Sequence, residues 1–416
     1  MANHVLSAVG TTTNRKFWPV FFREQVTVNI RFWLAQIAAR RAVASLLHIE
    51  RDNIVKALGL ALKLEATWDL AVDLLLAFHS YVQRQGAWAN WESFLEAGLT
   101  ISRRQGNAAR EAALLDRLGD LKRDQGEWAT AAAYHDKAYR LSNEIGDEAG
   151  RARALTNLGH VYRLQRRYAE ASQALEKALD SYQACQDLNG QAFARTNLGL
   201  VHFDQRQWGQ ALANHQAAYQ LWSETGILEG MAQAQHNMGN ACFAQGNWSK
   251  AESCYQLALA LYEQTHSRLY LAVASMDLGN VYLRQGQPEQ AEALYRQAKE
   301  VMQETGYTRG LAQVFSNLGM ACGQQKKWSL AKDFFRYSIV LWHQLDQPVS
   351  QANAEDNLAK VYLKQQKWEA ALKVLIQAQA RLSGLEPTRR IEAFLADVDK
   401  HLQKARAALA QKEIRV

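Results

Sequence analysis

The chain holds 416 residues, with 48 Lys plus Arg against 41 Asp plus Glu, a formal net charge of +7, and 48% apolar residues. That is a folding composition and not a disordered one. Only 4 Pro beside 24 Gly and 12 Trp disfavour an all-β or linker-rich chain and favour long helices. No apolar run reaches the roughly 18 residues of a membrane span, and the opening MANHVLSAVGTTTNRKF lacks the basic start of a secretory signal. A soluble, cytoplasmic protein is the expectation.

Residues 1–30 read as an N-terminal arm. Phe17-Trp18-Pro19-Val20-Phe21-Phe22 is an apolar cluster in an otherwise unpatterned stretch, and Pro19 interrupts any sustained amphipathic helix. Such an arm would dock on the rest of the chain or fill a groove as an autoinhibitor. Residues 31–71 read as helices, an N-terminal cap running through His48 to Asn53 into Ala57-Leu58.

An internal repeat follows. Leu118-Gly119 returns as Leu158-Gly159, Leu198-Gly199, Met238-Gly239, Leu278-Gly279, Leu318-Gly319 and Leu358-Ala359, at a step of 40 residues without insertion or deletion. Nine residues past each glycine position comes Trp128, Tyr168, Trp208, Trp248, Pro288, Trp328 or Trp368. Three further on alanine stands in every unit, Ala131 through Ala371, and seven beyond that another small residue, Ala138 through Ala378. A weaker unit precedes these, through Gly86 and Trp88, giving eight repeats over 72–391. Within each unit two apolar blocks at helical spacing flank a short polar turn such as Gln125-Gly126-Glu127. That is a helix hairpin. Its small residues mark where two helices cross closely, and one hairpin cannot bury its apolar face alone, so neighbours must stack. After the array, Ile391, Phe394, Leu395, Val398, Leu402, Ala405 and Leu409 form an apolar stripe, and 392–416 reads as a capping helix with a polar outer face.

The excess charge sits at the ends: net +4 over 1–111, zero over 112–388 and +3 over 389–416. Nucleic-acid recognition usually needs a basic face of real extent, so this distribution disfavours it. The four cysteines, Cys185, Cys242, Cys254 and Cys322, form no CxxC pair and read as small apolar residues, though Cys242 and Cys254 could meet across a helix pair. Phosphate-loop, dinucleotide-fold, zinc-protease and serine-hydrolase signatures are missing. His135 and His215 stand two repeats apart, roughly 16–20 Å if each helix layer is about 8–10 Å thick, too far to share a metal. No enzyme activity, cofactor or metal is expected.

The pattern resembles the tetratricopeptide repeat. Asn157-Leu158-Gly159-His160-Val161-Tyr162 and Asp277-Leu278-Gly279-Asn280-Val281-Tyr282 carry the likeness best. The common unit is 34 residues, and the six extra residues here are expected to lengthen the second helix. The resemblance implies an all-α fold, a right-handed α-solenoid of stacked hairpins. Units of 40 residues are similar to those of Pins-type adaptors and of the sensor repeats in bacterial STAND-type signalling ATPases; residues 31–71 with the weak unit resemble the joint between a STAND core and its sensor.

In that family the residue before Leu-Gly faces a concave groove, here Asn157, Asn197, Asn237, Asp277, Asn317 and Asn357. An amide donates and accepts at once, which suits an extended peptide backbone; equally, these side chains could bond to the neighbouring helix and order the stack. The family's frame adds Arg153, Thr156, His160, Arg163, Phe193, Thr196, Phe203, Gln233, His236, Asn240, Phe243, Met276, Asn280, Arg284, Gln313, Ser316, Met320, Asp356, Lys360 and Lys364 as groove positions. The expected function is a non-enzymatic scaffold or adaptor holding a protein or peptide ligand with an apolar middle and some acidic residues. The alternative is a detached sensor module with a STAND-type ATPase partner.

Overall fold

The computed structural model describes residues 17–38, 44–85 and 91–414. These residues form nineteen α-helices and one 3-10 turn, with no strand. Gly86 and Trp88, which carry the weakest repeat, lie outside the described residues. The chain divides into two compact units, Met1–Val201 and His202–Val416.

The first unit opens with α1 (Phe17–Ala38), α2 (Ala44–Ala61), the 3-10 turn Glu65–Thr67 and α3 (Trp68–Gln85). Its core gathers Ile30, Ile54, Leu58, Leu74, Leu75, Phe78 and Leu95. Pro19 does not break α1. It lies in the first turn, where a missing N–H costs least, so the expected arm boundary at residue 30 falls inside a helix. Val26, Ile30 and Trp33 are buried, while Val20, Phe22, Val28 and Phe32 are exposed. Thr67 Oγ1 donates to Ala61 O at 2.8 Å and Trp68 Nε1 to Leu62 O at 2.9 Å, fixing the turn into α3. Then come α4 (Trp91–Arg104), α5 (Ala108–Asp124), α6 (Trp128–Glu144), α7 (Glu148–Leu164), α8 (Tyr168–Ala184) and α9 (Leu188–Asp204), the last crossing into the second unit. Helices α3 and α4 flank residues 86–90, which lie outside the described residues.

The second unit continues with α10 (Trp208–Thr225), α11 (Leu228–Ala244), α12 (Trp248–Gln264), α13 (Arg268–Arg284), α14 (Pro288–Glu304), α15 (Thr308–Gln324), α16 (Trp328–Gln344), α17 (Pro348–Lys364), α18 (Trp368–Ser383) and α19 (Arg389–Ile414). The predicted second helices begin at the predicted aromatic or proline. The sequence placed the extra length in the second helix, but α13 and α14 each run 17 residues, joined by three-residue turns on both sides. The 40-residue step is thus two near-equal halves of 20.

One backbone device produces this. The middle residue of each turn adopts a left-handed conformation at a strict step of 20, from Gly106 to Gln366. At Gly126 (φ 81) the turn closes with Glu127 N–H on Lys122 O at 2.9 Å and Gly126 N–H on Arg123 O at 3.0 Å, the paired bonds of a Schellman stop. Seven of these residues carry side chains, among them Arg166, Lys326 and Gln366.

Close crossings use the predicted small residues. Ala251, Ala291, Ala331 and Ala371 are fully buried, as are Ala258 and Ala378. A Cβ on Gly279 would lie 2.6 Å from Tyr295 Cε1, and one on Gly319 2.8 Å from Phe335 Cε1; these glycines let a large ring on the second helix lie against the first. Consecutive hairpins are also clamped: Glu292 receives Arg296, Gln325 Nε2 at 2.7 Å and Lys327 Nζ at 3.0 Å. Burial alone would raise this carboxyl, but the three donors hold it down at about 2. Finally α19 covers the last hairpin with Val398, Leu402 and Ala405 buried.

Candidate functional site

In the first unit the predicted groove residues gather around Asp116, which is 1% exposed. Its carboxylate meets His135 Nδ1 at 2.8 Å, Arg153 Nε at 3.0 Å and Asn157 Nδ2 at 3.0 Å. Burial alone would raise Asp116, but the His135 bond and the Arg153 and Arg117 charges hold it well below the usual carboxylate range. Burial, then Arg123 and Arg163, push His160 down to about 3, so it is neutral at pH 7. Asn197 is buried and donates to Phe193 O of its own helix at 3.0 Å. Thr156 and Thr196 are buried and bond to Ala152 O and Ala192 O; they line the hairpin interior.

In the second unit the amides link successive first helices. His236 Nε2 lies 2.8 Å from Asp277 Oδ2, Asn280 Nδ2 is 3.4 Å from Asp277 Oδ1, and Asn317 Nδ2 donates to Asn280 Oδ1 at 2.9 Å. From the second helices, Tyr255 and Tyr295 donate to Asn240 and Asn280 at 2.7 and 2.8 Å. Phe203 and Phe243 pack edge-on against Trp208 and Trp248, centroids 5.0 Å apart in both pairs. Met276 and Asp356 are buried, Asp356 between His401 at 2.7 Å and Lys360 at 2.8 Å. Asn237 Nδ2 is buried with no partner among the described residues. Gln233, Arg284, Gln313 and Lys364 are exposed.

The ladder therefore does two jobs. Asn157, Asp277 and Asn317 tie one hairpin to the next, which orders the stack. Asn357 differs: with Lys360, whose Nζ is 3.2 Å from its Oδ1, it lies at the rim of an open pocket of about 160 Å³. Met320, Trp328, Phe335 and Val361 give that pocket apolar walls, and Lys364 and Gln324 join its rim. Sequence reasoning named Asn357, Met320, Lys360 and Lys364 but missed Gly323 in the floor. The signal was present: six other units carry Arg123, Arg163, Phe203, Phe243, Leu283 and Leu363 at that position.

No group of three or more His, Cys, Asp or Glu side chains able to hold a metal gathers among the described residues. Cys242 and Cys254 do interact across α11 and α12, and burial raises both thiols.

Models of the tetratricopeptide repeat match residues 110–184, 191–264 and 269–339, and a second model of the repeat matches 356–385. Together these cover more than half of the chain. The chain belongs to the tetratricopeptide repeat family. It matches no curated protein sequence. Among solved structures, this tetratricopeptide repeat protein is similar to a Rap protein complexed with Competence and Sporulation Factor, at 16% identity and TM-score 0.57 over 92% of this chain and 99% of that one. It is similar to aspartyl phosphate phosphatase F from Bacillus subtilis, at 15% identity and TM-score 0.56 over 90% of this chain and 95% of that one. A STAND protein with a tetratricopeptide repeat sensor from Pyrococcus horikoshii aligns at 15% identity and TM-score 0.62, over 85% of this chain and 55% of that one. At these identities the likeness is one of fold: an all-α solenoid of helix hairpins. No described helix is long and apolar enough to cross a membrane.

Proposed function

We propose that the protein is a non-enzymatic interaction scaffold that holds a protein or peptide segment on the first-helix face of its second unit. The observation that carries this reading is the open pocket between α15 and α17, apolar within and rimmed by Asn357, Lys360 and Lys364. On the same face Asp277 and Asp356 are bonded to His236 and His401, while the exposed charged side chains Arg284 and Lys364 are cationic. An amide row with cations above it suits an extended, partly acidic chain. That a Rap protein of the same fold was solved with Competence and Sporulation Factor supports a signalling ligand.

A second reading, a sensor module working beside a STAND-type ATPase, is supported by the alignment of 85% of this chain with a STAND protein whose sensor is built of these repeats. It predicts an ATPase among the captured proteins.

The test is quantitative capture from native lysate with wild type and with Arg284→Glu plus Gln313→Glu, both exposed positions. Loss of one specific partner at an unchanged melting temperature is expected. Equal recovery would move the contact off this face.

A further inference from the structure

The pocket exists because one side chain is missing from an otherwise regular pattern. In the units carrying Phe203 and Phe243, the phenyl ring covers the Trp that opens the following helix, at 5.0 Å. Leu283 and Leu363 fill the same place and are 9% and 8% exposed. At 323 the residue is glycine, and Trp328 is left facing open space. A Cβ on Gly323 would meet nothing nearer than Val361 Cγ2 at 3.9 Å, so no neighbour has moved in. This contrasts with Gly279 and Gly319, which are needed for close packing. Nothing in the fold requires glycine at 323: its backbone is helical, where glycine is the costlier choice.

We infer that the Gly323 socket is a specificity pocket for one large apolar side chain, Leu, Met or Phe, of a bound acidic peptide whose flanking Asp or Glu side chains pair with Lys360 and Lys364. This rests on the reading of the first-helix face as the binding surface. Size limits the occupant: about 160 Å³ is below the roughly 300–1,000 Å³ of small-molecule sites and is several times the roughly 30 Å³ share of a water. The walls, Met320, Trp328, Phe335 and Val361, offer no charge to a polar ligand. The rim supplies the sign. Asp356 is 1% exposed and bonded to His401 and Lys360, whereas Lys364 is exposed and makes no ion pair among the described residues. An incoming carboxylate therefore finds an unmatched cation beside an apolar hole. The peptide supplies the ring or branched chain that the repeat itself supplies elsewhere.

Gly323→Phe should fill the socket in the way Phe203 and Phe243 fill theirs, and Gly323→Leu in the way of Leu363. Both should keep or raise the melting temperature, which makes them clean blocking variants. The probes are fluorescein-labelled, C-terminally amidated octapeptides of Gly and Glu with one anchor, Ala, Leu, Met or Phe, between two Glu, read by fluorescence anisotropy. Wild type should bind the Leu, Met or Phe probe at least roughly tenfold tighter than the Ala probe, the scale of burying one apolar side chain. That preference should vanish in both blocking variants, and affinity should fall in Lys364→Glu and with added salt. Equal binding of the Ala and large-anchor probes, or a preference that survives both blocking variants, overturns the socket. A captured partner that survives Gly323→Phe but not Arg284→Glu with Gln313→Glu removes the socket and leaves the face; one that survives both removes the face as well. A wild-type dimer that becomes monomeric in Gly323→Phe would make the occupant a second copy of this chain and overturn the acidic peptide.

Discussion

Residue 215 shows how a single side chain sets pH behaviour. His215 is fully buried, with no partner for either ring nitrogen among the described residues, where other units place Leu175, Tyr255, Tyr295, Phe335 and Leu375. Burial pushes its imidazole down to about 4 from an ordinary 6.5. The unfolded chain therefore takes up a proton before the folded one does, and stability falls as pH drops through 6.5 toward 4. At pH 5 the loss from this residue is about 2 kcal/mol. His215→Leu should leave stability at pH 7 unchanged or higher and flatten the decline toward pH 5 in urea titrations. An unaltered slope would show that His215 finds a proton partner in solution. The sequence marked His215 as equivalent to His135 but could not separate them. His135 has Asp116 at 2.8 Å, and that depends on a residue on the facing helix.

At the scale of the helix, the stop signals explain the even spacing. Each turn from Gly106 to Gln366 centres on a left-handed residue, and a side chain there costs roughly 1–2 kcal/mol, so the turn at Lys326 (φ 61) carries strain that the turn at Gly286 (φ 77) does not. Lys326→Gly should raise stability by about 1 kcal/mol, visible as a higher urea midpoint with an unchanged slope; a lower midpoint would mean that the lysine stem contributes packing. The sequence revealed the hairpins, the start of each second helix at its aromatic and the buried alanines, because those depend on local spacing. It misassigned the surplus residues to the second helix, since the turn at Asp187 and its partner at Arg167 look unlike in sequence yet close with the same bonds. It also placed an arm across α1, because the period of an all-round apolar helix such as Phe17–Ala38 is hard to read from its residues.

For the molecule as a whole, the +7 charge matters less than where unmatched cations lie. The amide row was legible as a row, yet most of its members are engaged with a neighbouring helix or their own helix, as Asn317 is with Asn280 and Asn197 with Phe193. What remains available is concentrated at one gap, Gly323, which a residue-by-residue comparison of the units exposes and a search for recurring residues passes over. Partner recognition is thus proposed for the first-helix face of the second unit. The most direct test is site-specific photo-cross-linking in native lysate, with a benzophenone amino acid at exposed Gln313 on α15 or at exposed Tyr337 on α16. One discrete adduct from position 313 and none from 337 is the predicted result; the adduct from 337 alone would place the partner on the second-helix face and contradict the account.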